Sequence, residues 1–155
     1  MAFEPADPNW KAKVEESFDR QGIMETLGAR LTRVAPGEVE IEVDHNSGLT
    51  QQHGFFHAGV TSTIADSAGG YAAYTLFPAD SSVMTVEFKI NLVSPAAGER
   101  LRAHGHVIKP GRTLTLCEVE TYAVKDGKEK LCAKMQMTLM RLDGRSDKPE
   151  EVLAG

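Results

Sequence analysis

One carboxylate stands out in the chain. Asp66 lies within Val60 to Phe77, a stretch whose other members are small, hydroxylated, aromatic or aliphatic and carry no charge. An ionised carboxyl there is costly to bury without a partner, so Asp66 either reaches solvent from a helix flank or does chemistry. A reference pKa near ~3.9 leaves it ionised at neutral pH, fit to act as general base or nucleophile. His57 precedes it by nine residues, which on a helix is about 13.5 Å of rise and close to two and a half turns. The two side chains then face opposite sides and cannot form a dyad within one helix. If both serve one site, that site joins two copies of the helix, which implies a dimer. The helix start also offers the N–H groups of Ala58 and Gly59, unpaired and at the positive end of the dipole. They suit an oxyanion; alternatively Gly59 serves packing alone.

Other candidates are weaker. His104 and His106 share a strand face but lack a third ligand, and Gly54 argues against His53 and His57 being helical neighbours. Ligand sets usually need three or four residues, so no metal is expected. Gly111-Arg112-Thr113 places a guanidinium at a turn, where it is either solvated or suited to a phosphate. Phe55, Phe56, Tyr71 and Tyr74 could line an aryl pocket, though aromatics beside a helix also simply fill a core.

Around these residues the pattern predicts a short helix over residues 8–20, anchored by Trp10 and Phe18, then a connector from Gly22 to Gly28 docked by Ile23, Met24 and Leu27. Period-two alternation of Val39, Ile41 and Val43 with Glu38, Glu40 and Glu42 predicts a strand wet on one face. Ala29 to Val34 reads as its hairpin partner across Pro36-Gly37. His57 to Leu76 is a helix apolar on most sides and rich in glycine and alanine, so it belongs inside, held by a sheet. Gly69 and Gly70 each cost it about 1 kcal/mol of intrinsic stability relative to alanine. Strands are expected over Val83–Val93, Arg100–Ile108, Thr113–Val124 and Lys130–Leu142, in meander, with a bulge near Cys117-Glu118. The fold class is therefore α+β, one antiparallel sheet around a central helix in a single domain over residues 1–155, with a frayed tail over 143–155.

Composition narrows the function. With 155 residues, 41% hydrophobic and 25% charged, the chain can bury a core. A net charge of −5 without basic clusters argues against nucleic acid and against an anionic membrane surface. Polar residues interrupt the most apolar stretch, so no membrane span is expected. Met1-Ala2-Phe3-Glu4-Pro5 has neither the basic start nor the apolar run of a signal peptide, so a cytoplasmic protein is expected. With Asp126-Gly127 as a two-residue turn, Cys117 falls opposite Gln136 and Cys132 opposite Thr121. That offset is about 13 Å along the strand, beyond disulfide reach, so free thiols are expected.

Gly54-Phe55-Phe56-His57-Ala58-Gly59 followed by Thr63-Ile64-Ala65-Asp66-Ser67-Ala68 resembles the signature of hotdog-fold acyl-CoA thioesterases of the phenylacetate (PaaI-like) group. Thr85-Val86-Glu87-Phe88-Lys89-Ile90-Asn91, Ser94-Pro95 and Gly111-Arg112-Thr113-Leu114 extend the resemblance, which runs from about Phe18 to Leu142. It implies a sheet of five or six strands wrapped around the helix, and a homodimer, commonly a homotetramer, with active sites at the dimer interface. By resemblance Asp66 activates water or attacks the thioester carbonyl, the Ala58 amide of the other copy holds the oxyanion, His57 and Gly59 shape the helix start, and Thr85 orients water or carboxylate. Gln51 stands where many relatives carry Asn, and Ala58 where they carry Gly. Phe56, Asn91, Arg112 and Thr113 would lie along the substrate. The expected function is hydrolysis of a CoA thioester to free acid and CoA, with no cofactor. The alternatives are a non-catalytic acyl-CoA-binding module of the same fold and, less well matched, an acyl-thioester dehydratase or hydratase.

Overall fold

The structure, a computed structural model, describes residues 2–149. Two helices open it, α1 (Trp10–Asp19) and α2 (Gly22–Leu27), followed by the strands β1 (Arg30–Ala35) and β2 (Glu38–Asp44). The central helix α3 (Ala58–Tyr74) leads to β3 (Ser81–Leu92), β4 (Arg100–Lys109), β5 (Leu114–Lys125) and β6 (Lys128–Asp143). All six strands form one antiparallel sheet in the order β1-β2-β4-β5-β6-β3. The concave face holds α3, as the apolar helix requires. Val39, Ile41 and Val43 of β2 and Leu101 and Ala103 of β4 are buried against it. Small residues set how close the helix comes: a Cβ on Gly105 of β4 would sit 2.5 Å from the Ala68 carbonyl. Among the described residues no helix is long and apolar enough to cross a membrane.

Several expectations are corrected. The meander is three strands, not four: β3 pairs with β6 at the far edge and does not neighbour β4. The connection between them crosses the end of the sheet, with the Val93 N–H on the Cys132 carbonyl and the Glu99 N–H on the Val124 carbonyl, both at 2.9 Å. Gly98 permits the crossing, since a Cβ there would lie 2.6 Å from the Val124 oxygen. The segment from Gly22 to Gly28 is a helix rather than a plain connector; Met24 docks it while Ile23 is exposed. Within the stretch expected to fray, Asp147 forms an ion pair with Arg20 at 2.6 Å; residues 150–155 of it lie outside the described residues.

Bulges account for the other differences. The turn at Asp126-Gly127, with φ 50° and 71°, is of the expected two-residue kind. Cys132 then drops out of register, because Thr121 faces Ala133 and Tyr122 faces Leu131. Cys117 therefore lies opposite Met137 rather than Gln136, and the Cys132 thiol donates to the Thr121 carbonyl. Both thiols are free, and burial pushes them up, Cys117 to about 12 and Cys132 to about 11. The irregularity expected at Cys117 sits across from it on β4, at Ile108. On β3 the bulge is at Val86, between Thr85 paired with Leu139 and Glu87 paired with Thr138. Directly opposed residues share a face, so Thr85, opposite buried Leu139, points at α3, and Phe88, opposite buried Met137, points the same way. Unbulged, the alternation would set those two on opposite faces.

Candidate functional site

His57 does at the start of α3 what a capping residue does. Its backbone is extended and its ring Nδ1 accepts the Gly59 N–H at 2.8 Å. A Cβ on residue 59 would stand 3.0 Å from that nitrogen, so glycine keeps the cap close. The bond places the ring proton on Nε2. It also corrects the expectation of two free amides: the Gly59 N–H is taken within the helix start. The N–H groups of Val60 and Thr61 bond the His57 carbonyl. Among the described residues, the Ala58 N–H meets no acceptor.

Two turns further on, Asp66 lies half-buried with the Thr85 hydroxyl donating to its Oδ1 at 2.8 Å. Burial raises the Asp66 carboxyl above the usual range, and the Thr85 hydrogen bond pulls it partly back. A carboxylate raised in this way and held by one hydrogen bond is a better proton acceptor than an exposed aspartate. It opens on a cavity of about 420 Å³ between α3, α1 and β3. One wall is polar: the Gln21 amide donates to the Tyr71 hydroxyl at 2.8 Å, Ser17 lies 3.1 Å from that hydroxyl, and Ser67 donates to the Gln21 carbonyl oxygen at 3.2 Å.

A second cavity, of about 490 Å³, holds Gln51, Phe56 and Ala58, with Pro95 and Leu92 on its other side. Gln51 Oε1 accepts the His53 N–H at 2.6 Å and the Phe55 N–H at 3.3 Å, which orients its side-chain amide. The structure thus brings Asp66 to Thr85, and Gln51 and Phe56 to Ala58, but leaves the two groups in separate hollows. Asp66 stands eight positions after Ala58 on α3, a rise of about 12 Å. Asn91, Arg112 and Thr113 are exposed and line neither cavity. His104 and His106 stack 5.6 Å apart on the outer face of the sheet, and no metal-binding group of three occurs among the described residues. Sequence reasoning named Tyr71 only as a possible pocket residue and missed Ser17, Gln21 and Ser67, which meet across 46 to 54 residues of chain. Their one local signal is that Ser67 adjoins Asp66.

Known proteins share this fold. The Thioesterase superfamily model matches residues 53–130, from the turn before α3 into β6. The crystal structure of a thioesterase family protein from Silicibacter pomeroyi is 50% identical, with a TM-score of 0.86 over 87% of this chain and 99% of that one. The human acyl-coenzyme A thioesterase 13 is 31% identical over 99 residues, covering 63% of this chain and 70% of its own. The PaaI protein of the Escherichia coli phenylacetic acid operon, 18% identical, shares the fold with a TM-score of 0.78 over 88% of this chain and 95% of its own. The matched residues run through all of α3, including His57 and Asp66, and the chain belongs to the Thioesterase superfamily.

Proposed function

We propose that the protein is an acyl-CoA thioesterase whose active sites form between two copies of the chain. The observation that carries this reading is the Thr85–Asp66 hydrogen bond beside a cavity, on a helix whose free Ala58 amide opens into a different cavity. An antiparallel pairing of two α3 helices sets the Ala58 amide of one copy near Asp66 of the other. Ala58, Ser62 and Asp66, four residues apart, are incompletely buried and form the stripe along which such helices meet. The sheet edge beside them supports the same pairing, since Met84, Val86, Phe88 and Leu92 of β3 are exposed on an edge strand that pairs only with β6.

In this reading Asp66 takes a proton from water as the water oxygen attacks the thioester carbonyl. Thr85 holds the carboxylate so that its second oxygen faces the water. The Ala58 N–H receives the developing oxyanion, with the Gln51 amide beside it. Collapse breaks the C–S bond, the proton passes from Asp66 to the leaving sulfur, and free acid and CoA result. The named activity of the human relative supports CoA as the thiol.

Thiol release from short, medium and long fatty acyl-CoAs, phenylacetyl-CoA and benzoyl-CoA tests the reading. Turnover by the wild-type protein, lost in Asp66→Asn while ligand binding persists, is the expected result. Silence across the panel, with the same thioesters still raising the melting temperature, would instead assign a binding module.

A further inference from the structure

The cavity beside Asp66 has a definite far end. There Arg20, just past α1, meets Asp147 of the segment after β6 at 2.6 Å, and Ser82 of β3 adds a 3.4 Å contact to the same carboxylate. Arg20, Asp147 and the neighbours of Asp147 line the Asp66 cavity on one side. On the other side they line a further hollow of about 770 Å³, reaching Ala12, Tyr74 and Ala79. The ion pair is the partition between the two spaces.

We infer that the Arg20–Asp147 pair is the end wall of the acyl cavity and sets the longest acyl group the enzyme accepts. The inference rests on the thioesterase reading, with the thioester carbonyl beside Asp66. CoA is too large for a cavity of about 420 Å³ and must extend outward, so the acyl group is the part that points inward, toward Tyr71 and Arg20. A short acyl group ends before the pair. A long one must displace it, and once the pair is gone the two hollows join into one path. A partly exposed ion pair contributes little to stability, so it can be removed without unfolding the chain, and its placement between two cavities is what gives it consequence.

The test is kcat/KM for straight-chain acyl-CoAs from butanoyl to hexadecanoyl, in the wild type, Arg20→Ala, Asp147→Ala and the charge exchange Arg20→Asp with Asp147→Arg. Asp147→Ser removes the carboxylate and shortens the side chain while keeping a polar group, and it serves if an alanine variant fails to fold. The wild type is expected to fall off with length, and each single change to raise the long-to-short ratio by at least about tenfold. The exchange should restore the wild-type profile. A ratio that stays the same in the variants, or a loss shared equally by all lengths, overturns the end wall and leaves the thioesterase reading standing. No thiol release from any member by the wild type overturns both.

Discussion

The two edges of the sheet are built for opposite ends. At β1, Arg30 bonds Asp44 at 2.8 Å and Arg33 bonds Glu38 at 2.9 Å, so the strand carries paired charges inward to β2 and offers a polar border to anything outside. At β3 the border is methionine, valine, phenylalanine and leucine, each more than 40% exposed. Charged edges discourage strand addition, and long apolar edges invite it. The proposed chemistry lies on the inviting side: Thr85 belongs to β3, and the stripe of α3 bearing Ala58 and Asp66 is left incompletely covered. The contrast teaches that the protein closes one edge by itself and leaves the other apolar and open, the edge that the proposed composite site assigns to a second copy.

The largest effect that can break this contrast is Asp66→Asn, expected to lower kcat by about 10²- to 10⁴-fold. The same change should raise the melting temperature at pH 7. Burial raises the folded-state pKa of Asp66 above its unfolded value. The unfolded chain therefore releases that proton first, and the charged form burdens the folded state at every pH above the unfolded pKa. A stability gain that fails to appear at neutral pH would refute the burial argument even if activity is lost.

Next is Ala58→Pro. Residue 58 is the first of α3, where proline is well tolerated, and His57 with φ −64° and ψ 142° already has the backbone that precedes proline. The substitution deletes one N–H and leaves the helix, so a fall of about 10²- to 10³-fold in kcat with unchanged circular dichroism is expected. Near-normal kcat would remove Ala58 from the mechanism.

Phe88→Lys attacks the β3 edge itself. Sedimentation should show the association constant falling by about 10²-fold, the loss typical of an interface anchor, while Thr32→Lys on β1 changes nothing. Equal effects at both edges would erase the distinction between them.

The smallest effect is expected from Thr85→Ala, about tenfold in kcat/KM for one hydrogen bond to a charged group. Thr85 holds the Asp66 carboxyl down, so its loss raises that pKa further, and the acid limb of the pH–rate profile must move to higher pH. A limb that moves to lower pH or stays put contradicts the assignment of Asp66 as the base. Single turnover in ¹⁸O water sharpens the same point, since a nucleophilic Asp66 would carry the label and a general base would not.

Much of this was legible in the chain. The glycine- and alanine-rich run predicts a helix that only a sheet can hold, and Gly105 against the Ala68 backbone is the reason. The nine-residue spacing of His57 and Asp66 yields, before any fold is known, the expectation that a site using both joins two copies, and the structure sets the helix start and Asp66 in separate hollows. What escaped depends on pairing. Strict alternation reads the same in an edge strand as in a central one, so the sequence of β3 reads as part of a meander, and the bulge at Val86 that aims Thr85 at Asp66 leaves no mark in the sequence. Gln21, Tyr71 and the Arg20–Asp147 partition meet only because α1 and the segment after β6 fold over α3. No local pattern records a contact across 127 residues.

Subunit complementation tests the composite site most directly. Asp66→Asn and Ala58→Pro proteins, each nearly inactive, are mixed in equal amounts and exchanged through mild denaturant. Half of the dimers formed are then mixed, and each mixed dimer has one site with both its Asp66 and its partner's Ala58 amide intact, so activity should recover to about a quarter of the wild-type value. If Asp66 and Ala58 instead served one site within a single chain, the mixture would stay as inactive as its parts, and that result would contradict the account.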